Sequence, residues 1–102
     1  MSSEKLLRHI VLFKFKDEVN REQVNEVGKA FLALLTQIEA IHDLEWGCAI
    51  NEPNPYTHCL LVTVRTEAAL KAYEDHPEHK AIATNYGHLV ETVVVLDYWT
   101  KE

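Results

Sequence analysis

Three segments of this sequence read as β-strands apolar on both faces, which restricts the architectures open to the chain more than any other feature. From Leu7 to Lys16, alternation puts Leu7, His9, Val11, Phe13 and Phe15 on one face. Arg8, Ile10, Leu12, Lys14 and Lys16 share the other, so the middle of the strand is apolar front and back. From Thr57 to Arg65, His58, Leu60, Val62 and Val64 oppose Cys59, Leu61 and Thr63. From Glu91 to Thr100, the run Val93-Val94-Val95-Leu96 leaves no polar face at the centre. Such strands need cover on both sides.

The remaining segments set how much cover one chain supplies. Asp43 to Ile50 reads as a further strand, with Leu44, Trp46, Cys48 and Ile50 on one side. Ahead of it, Asn20 and Gln23 have capping-box spacing, and Val19 and Val24 can close a hydrophobic staple around them. Val24, Val27, Phe31, Leu34, Leu35 and Ile38 then recur at helical spacing as one apolar stripe. Gly28, inside that helix, costs about 1 kcal/mol relative to alanine and marks a point of close packing. Asn51-Glu52-Pro53-Asn54-Pro55 is turn chemistry. Thr66 caps a helix containing Ala69, Leu70 and Tyr73, which Pro77 interrupts. Pro77 also suits the first turn of a second short helix, with His79, Ile82, Ala83 and Tyr86 on one side and Gly87 near its end.

The order βαββαβ, with a broken second helix, predicts an α+β fold: a ferredoxin-like antiparallel sheet in a single domain spanning residues 1–102. Helices cover one side of such a sheet. The other side would be an apolar patch larger than soluble monomers usually expose. A second copy packed sheet to sheet covers it most economically, so a homodimer, a dimeric α/β barrel, is expected.

Charge and composition exclude several roles. Sixteen acids against ten bases give a net charge of −6, the wrong sign for a nucleic-acid surface. The only basic cluster, Arg8 with Lys14 and Lys16, is short and reads as a solvated strand end. No run approaches the roughly 20 apolar residues of a membrane span, and Met1-Ser2-Ser3-Glu4-Lys5 leads into no signal-like apolar core. Cys48 and Cys59 lie at the same parity of one hairpin, where they could face each other. Without CxxC spacing they read as two small apolar side chains in a reducing compartment, and a cytoplasmic location is expected.

Six histidines are the conspicuous excess. His9 and His58 sit in strands among apolar neighbours, His76 and His79 flank the helix break, and His42 and His88 precede strands at exposed places. If the helical layer covers the face bearing His9 and His58, the break can bring Tyr73 and His79 over it. An imidazole and a phenol converging in an apolar pocket can do general acid–base work. The bland alternative is a satisfied core histidine and a tyrosine that packs its ring. His76-Pro77-Glu78-His79 lacks the HExxH pattern, and Pro77 turns the two rings apart, so no metal is expected. GxGxxG, GxxxxGK[ST] and GxSxG are all absent, and no cofactor is expected.

Taken together, Arg8-His9-Ile10-Val11-Leu12-Phe13-Lys14-Phe15-Lys16, Glu45-Trp46-Gly47, Tyr56-Thr57-His58, Tyr73, His76-Pro77-Glu78-His79 and Val95-Leu96-Asp97-Tyr98 resemble the stress-responsive dimeric α/β-barrel (Dabb) domain family over roughly residues 7 to 99. The resemblance implies a ferredoxin-like protomer, a barrel formed by the dimer, and a pocket between sheet and helices. The family includes stress-associated proteins without known catalysis and plant polyketide cyclases similar to olivetolic acid cyclase. In the cyclases a tyrosine and a histidine form the acid–base pair, matched here by Tyr73 and His79, and two strand histidines line the pocket, matched by His9 and His58. Val11, Phe13, Phe31 and Leu60 are expected to complete the pocket and bind a small hydrophobic ligand. One cyclase tyrosine is Phe31 here, which removes a polar group. Three roles stand open on these residues: a binder or acid–base enzyme for a small carbonyl or polyketide-like molecule, a non-catalytic stress protein whose role is the dimer itself, and a cofactor-free monooxygenase-like enzyme.

Overall fold

The computed structural model describes residues 5–100, which form four strands and three α-helices. The strands are β1 (Leu7–Phe15), β2 (Asp43–Cys48), β3 (His58–Val64) and β4 (Val90–Trp99). The helices are α1 (Arg21–Gln37), α2 (Glu67–Asp75) and α3 (Pro77–Tyr86), and a 3-10 turn at Gly87–Leu89 leads into β4. All neighbouring strands are antiparallel, in the order β2-β3-β1-β4, which is the ferredoxin-like arrangement.

Helix α1 starts where its capping box predicts. The Asn20 side chain accepts the Gln23 backbone N–H at 2.8 Å, and the Gln23 side chain accepts the Asn20 N–H at 2.9 Å. Val24, Val27, Phe31, Leu34 and Ile38 turn inward, while Leu35, expected on the same stripe, lies on the flank and is exposed. Gly28 faces the Trp46 indole so closely that a Cβ there would stand 2.5 Å from Nε1. Thr66 caps α2, its hydroxyl accepting the Ala69 N–H at 3.0 Å.

The helices pack on the sheet face bearing Leu7, His9, Val11 and Phe13 from β1, Leu60, Val62 and Val64 from β3, and Leu44 from β2; these residues, His9 aside, form the core with side chains of α1, α2 and α3. Strand β2 stops at Cys48, two residues short of expectation, and Ile50 is 97% exposed in the following loop. The two cysteines do not face each other. Cys48 stands opposite His58 and Cys59 opposite Gly47, so the thiols lie on opposite faces of the sheet. Nor do the basic residues of β1 form one cluster: Arg8 and Lys14 lie at opposite ends, and Lys14 pairs with Glu91 at 2.9 Å.

Among the described residues, strand β4 is an edge strand paired only with β1, and its apolar run is open to solvent. Val93, Val94, Val95 and Leu96 are each between 42% and 60% exposed. Val94 and Leu96 pair with Leu12 and Ile10 on the face that carries no helix, which also holds Leu61. Among the described residues, no helix is long and apolar enough to cross a membrane.

A candidate acid–base site

The break between α2 and α3 is built by one dipeptide. Proline disfavours helical backbone in the residue before it, and His76 is extended (φ −66°, ψ 137°). Pro77 occupies the first turn of α3, where its missing N–H costs nothing. His76 closes α2 and opens α3 at once, its Nδ1 accepting the Glu78 N–H at 3.1 Å. The carbonyls at the end of α2 lack intrahelical donors, and the Glu74 carbonyl takes its hydrogen bond from His79 Nδ1–H at 3.1 Å. That bond folds the His79 ring back towards Tyr73. Their ring centroids are 4.6 Å apart.

Beneath them lies His9 of β1, 6% exposed, its ring edge-on to Tyr73 at 6.0 Å. The register pairs His9 with Asp97 of β4, and His9 Nδ1–H donates to the Asp97 carboxylate at 2.6 Å. This arrangement fixes the ring tautomer from behind, as a carboxylate does for a catalytic imidazole. Both His9 and His79 therefore commit Nδ1 to the protein and keep Nε2 uncommitted.

Burial shifts the titrating groups in useful directions. It lowers the pKa of His79 below the ordinary 6.5, partly opposed by the Glu74 backbone hydrogen bond and charge, so the ring is neutral at physiological pH. Burial, with the Glu74 charge, pushes Tyr73 well above the usual phenol range, so it keeps its proton. The Tyr73 hydroxyl is buried with no hydrogen-bond partner. A neutral base and a protonated phenol standing side by side can remove a proton from carbon while a hydrogen bond holds the adjacent carbonyl oxygen.

The cluster borders a cavity of about 360 Å³, within the range of ligand sites. Of the expected residues, His9, Val11, Phe13, Phe31, Leu60, Tyr73 and His79 all line it. Phe31 of α1 forms part of the wall, 5.7 Å from Phe13 and 6.5 Å from the His79 ring.

His58 is elsewhere, contrary to expectation. It pairs with Phe13 four residues along β3 from Val62, the partner of His9, a separation of about 13 Å at the strand rise. There it stacks on Trp46 at 5.4 Å, meets Phe15 edge-on at 5.6 Å, and borders a separate hollow of about 300 Å³ with Cys48, Cys59 and Tyr56. Shared strand parity puts His9 and His58 on one face but does not bring them together.

Sequence reasoning missed Asp97 and Glu74. Asp97 sits in a strand whose pairing register is set by tertiary structure. Glu74 adjoins Tyr73 at the rim, and its charge acts on both Tyr73 and His79. Val93 and Val95 line the open side of the cavity from β4.

Residues 7–100 match the profile of the stress responsive A/B barrel domain. Olivetolic acid cyclase from Cannabis sativa is 30% identical over 99 residues, covering 94% of this chain and 98% of the cyclase. A stress-response A/B barrel domain-containing protein of Arabidopsis thaliana is 32% identical over 95 residues, covering 90% of this chain and 87% of that protein. A dimeric protein of unknown function and ferredoxin-like fold from Bacteroides fragilis superposes with a TM-score of 0.83 at 29% identity, covering 93% of this chain and 96% of its own.

Proposed function

The chain belongs to the stress-responsive A/B barrel domain family, and from that premise we propose that it acts as a homodimer whose sheet–helix cavities each take a small apolar carbonyl compound and move a proton on it. His79 Nε2 accepts a proton from the carbon next to the carbonyl. Tyr73 donates a hydrogen bond to the carbonyl oxygen as charge develops there, and His79, once its Nε2 proton has exchanged with solvent, returns a proton to the carbon on completion. His9, held by Asp97, orients the ligand from the sheet side.

One observation carries this reading: the partnerless, buried Tyr73 hydroxyl standing beside a neutral imidazole at a cavity of about 360 Å³. An unsatisfied buried hydroxyl costs about 1–3 kcal/mol, and a ligand oxygen relieves that cost. The rival reading, in which the dimer is the whole function, calls for a core closed by Phe13, Phe31 and Tyr73. An open cavity bordered by those three residues favours the ligand-binding reading.

The test needs no natural substrate. An alkyl aryl ketone in deuterated buffer should exchange its α-protons faster with the protein than with buffer alone, followed by NMR. His79→Gln should slow this exchange about 100-fold or more while leaving the dimer intact. Unchanged exchange in that variant removes His79 from the base role.

A further inference from the structure

Among the described residues, no lysine or arginine lines the cavity. The one acidic side chain among them that lines it is Glu74, exposed at the rim next to Tyr73. Lys71 of the same helix pairs with Asp75 at 2.9 Å, feels the Glu74 charge only as a lesser contribution, and does not line the cavity. Among the described residues Glu74 makes no ion pair. On the sheet side, His9 is paired with Asp97 at 2.6 Å. His79 spends its Nδ1 proton on the Glu74 carbonyl and leaves a lone pair at Nε2. The site thus presents a negative rim, apolar walls of valine, leucine and phenylalanine, and no fixed cation.

We infer that Glu74 makes this cavity selective by charge, admitting uncharged carbonyl compounds (ketones, aldehydes and esters) and turning away free carboxylates of the same shape. A carboxylate entering here would lose its hydration against apolar walls with no counter-ion to replace it, and would pass an acceptor-only group at the rim. An ester or ketone of equal size keeps the acceptor that Tyr73 can serve and carries no charge to desolvate. Tyr73 fits the same ligand: burial and the Glu74 charge hold it protonated, a donor to a neutral carbonyl. The inference rests on the ligand-binding reading above and adds the chemical class that the cavity accepts.

Matched probes test it. A para-alkyl methyl benzoate and the corresponding free benzoate are titrated into the full chain by isothermal calorimetry near neutral pH, where the acid is ionised. The same titrations use Glu74→Gln, an exposed helix position where the amide is isosteric. The wild-type protein should bind the ester at least about tenfold more tightly than the benzoate. Glu74→Gln should strengthen benzoate binding about three- to tenfold and leave the ester within about twofold. Equal or tighter binding of benzoate by the wild-type chain overturns the inference, as does an unchanged preference in the variant. If neither probe binds, the ligand-binding reading itself falls and takes this inference with it, a result distinct from loss of selectivity.

Discussion

Tyr73 is 1% exposed, yet its hydroxyl has no partner, so the residue is worse for stability than the phenylalanine it could have been. Tyr73→Phe should therefore leave unfolding free energy unchanged or raise it by about 1 kcal/mol in a urea melt. The same variant should lose ketone α-proton exchange. A drop of more than about 1 kcal/mol would mean that the hydroxyl has a structural partner. His79 and His58 make a second prediction, since burial is the first cause lowering both pKa values from 6.5. The folded protein then binds protons less readily than the unfolded chain in the interval below that value. Their contribution to stability is complete above about pH 6.5 and declines as pH falls towards the depressed folded-state values. The melting temperature should be lower at about pH 5 than at about pH 7.5, and the double variant His58→Phe/His79→Gln should narrow the gap. Residue identity alone pointed to Tyr73, His79 and His9, because an imidazole or phenol among apolar neighbours is chemically conspicuous. His58 met the same criterion and belongs to an aromatic stack instead. Chemical character marks a candidate; position along the strand decides whether it joins the site.

The elements were legible wherever a local interaction starts or stops them. Asn20, Thr66 and Pro77 each mark a helix start by hydrogen bonding or ring geometry confined to three or four residues. The end of β2 was less legible, because Ile50 continues the alternation while its backbone leaves the sheet. Gly28 links local and tertiary demands. Helix propensity favours alanine there by about 1 kcal/mol, but the added methyl would meet the rigid indole of Trp46 at 2.5–2.8 Å. Overpacking of this kind costs about 1–3 kcal/mol. Gly28→Ala should therefore destabilise the domain and alter Trp46 fluorescence, and a stabilised variant would show that the indole can step aside. Because Trp46 also packs against Phe31 and Phe13, a displaced indole would disturb the cavity wall from behind.

For the whole molecule, the decisive feature is the sheet face that α1, α2 and α3 leave bare, where Ile10, Leu12, Leu61, Val94 and Leu96 gather. The homodimer proposed here buries it, and strand parity supplies its control. Leu96→Lys, on the bare face, should give a monomer by sedimentation at about 10 µM. Val95→Lys, one residue away on the cavity face, should remain dimeric, and equal behaviour of the two variants would refute sheet-to-sheet packing. The amino-acid sequence by itself determined the element types, the helix break and the doubly apolar strands, because caps, prolines and periodicity act within a few residues. Only the tertiary structure decided that Asp97 backs His9, that His58 lies four residues, about 13 Å, further along the sheet, and that the cysteines occupy opposite faces. Those outcomes depend on strand register, which is set by how the whole core packs, and a shift of one residue would send every side chain of a strand to the other face.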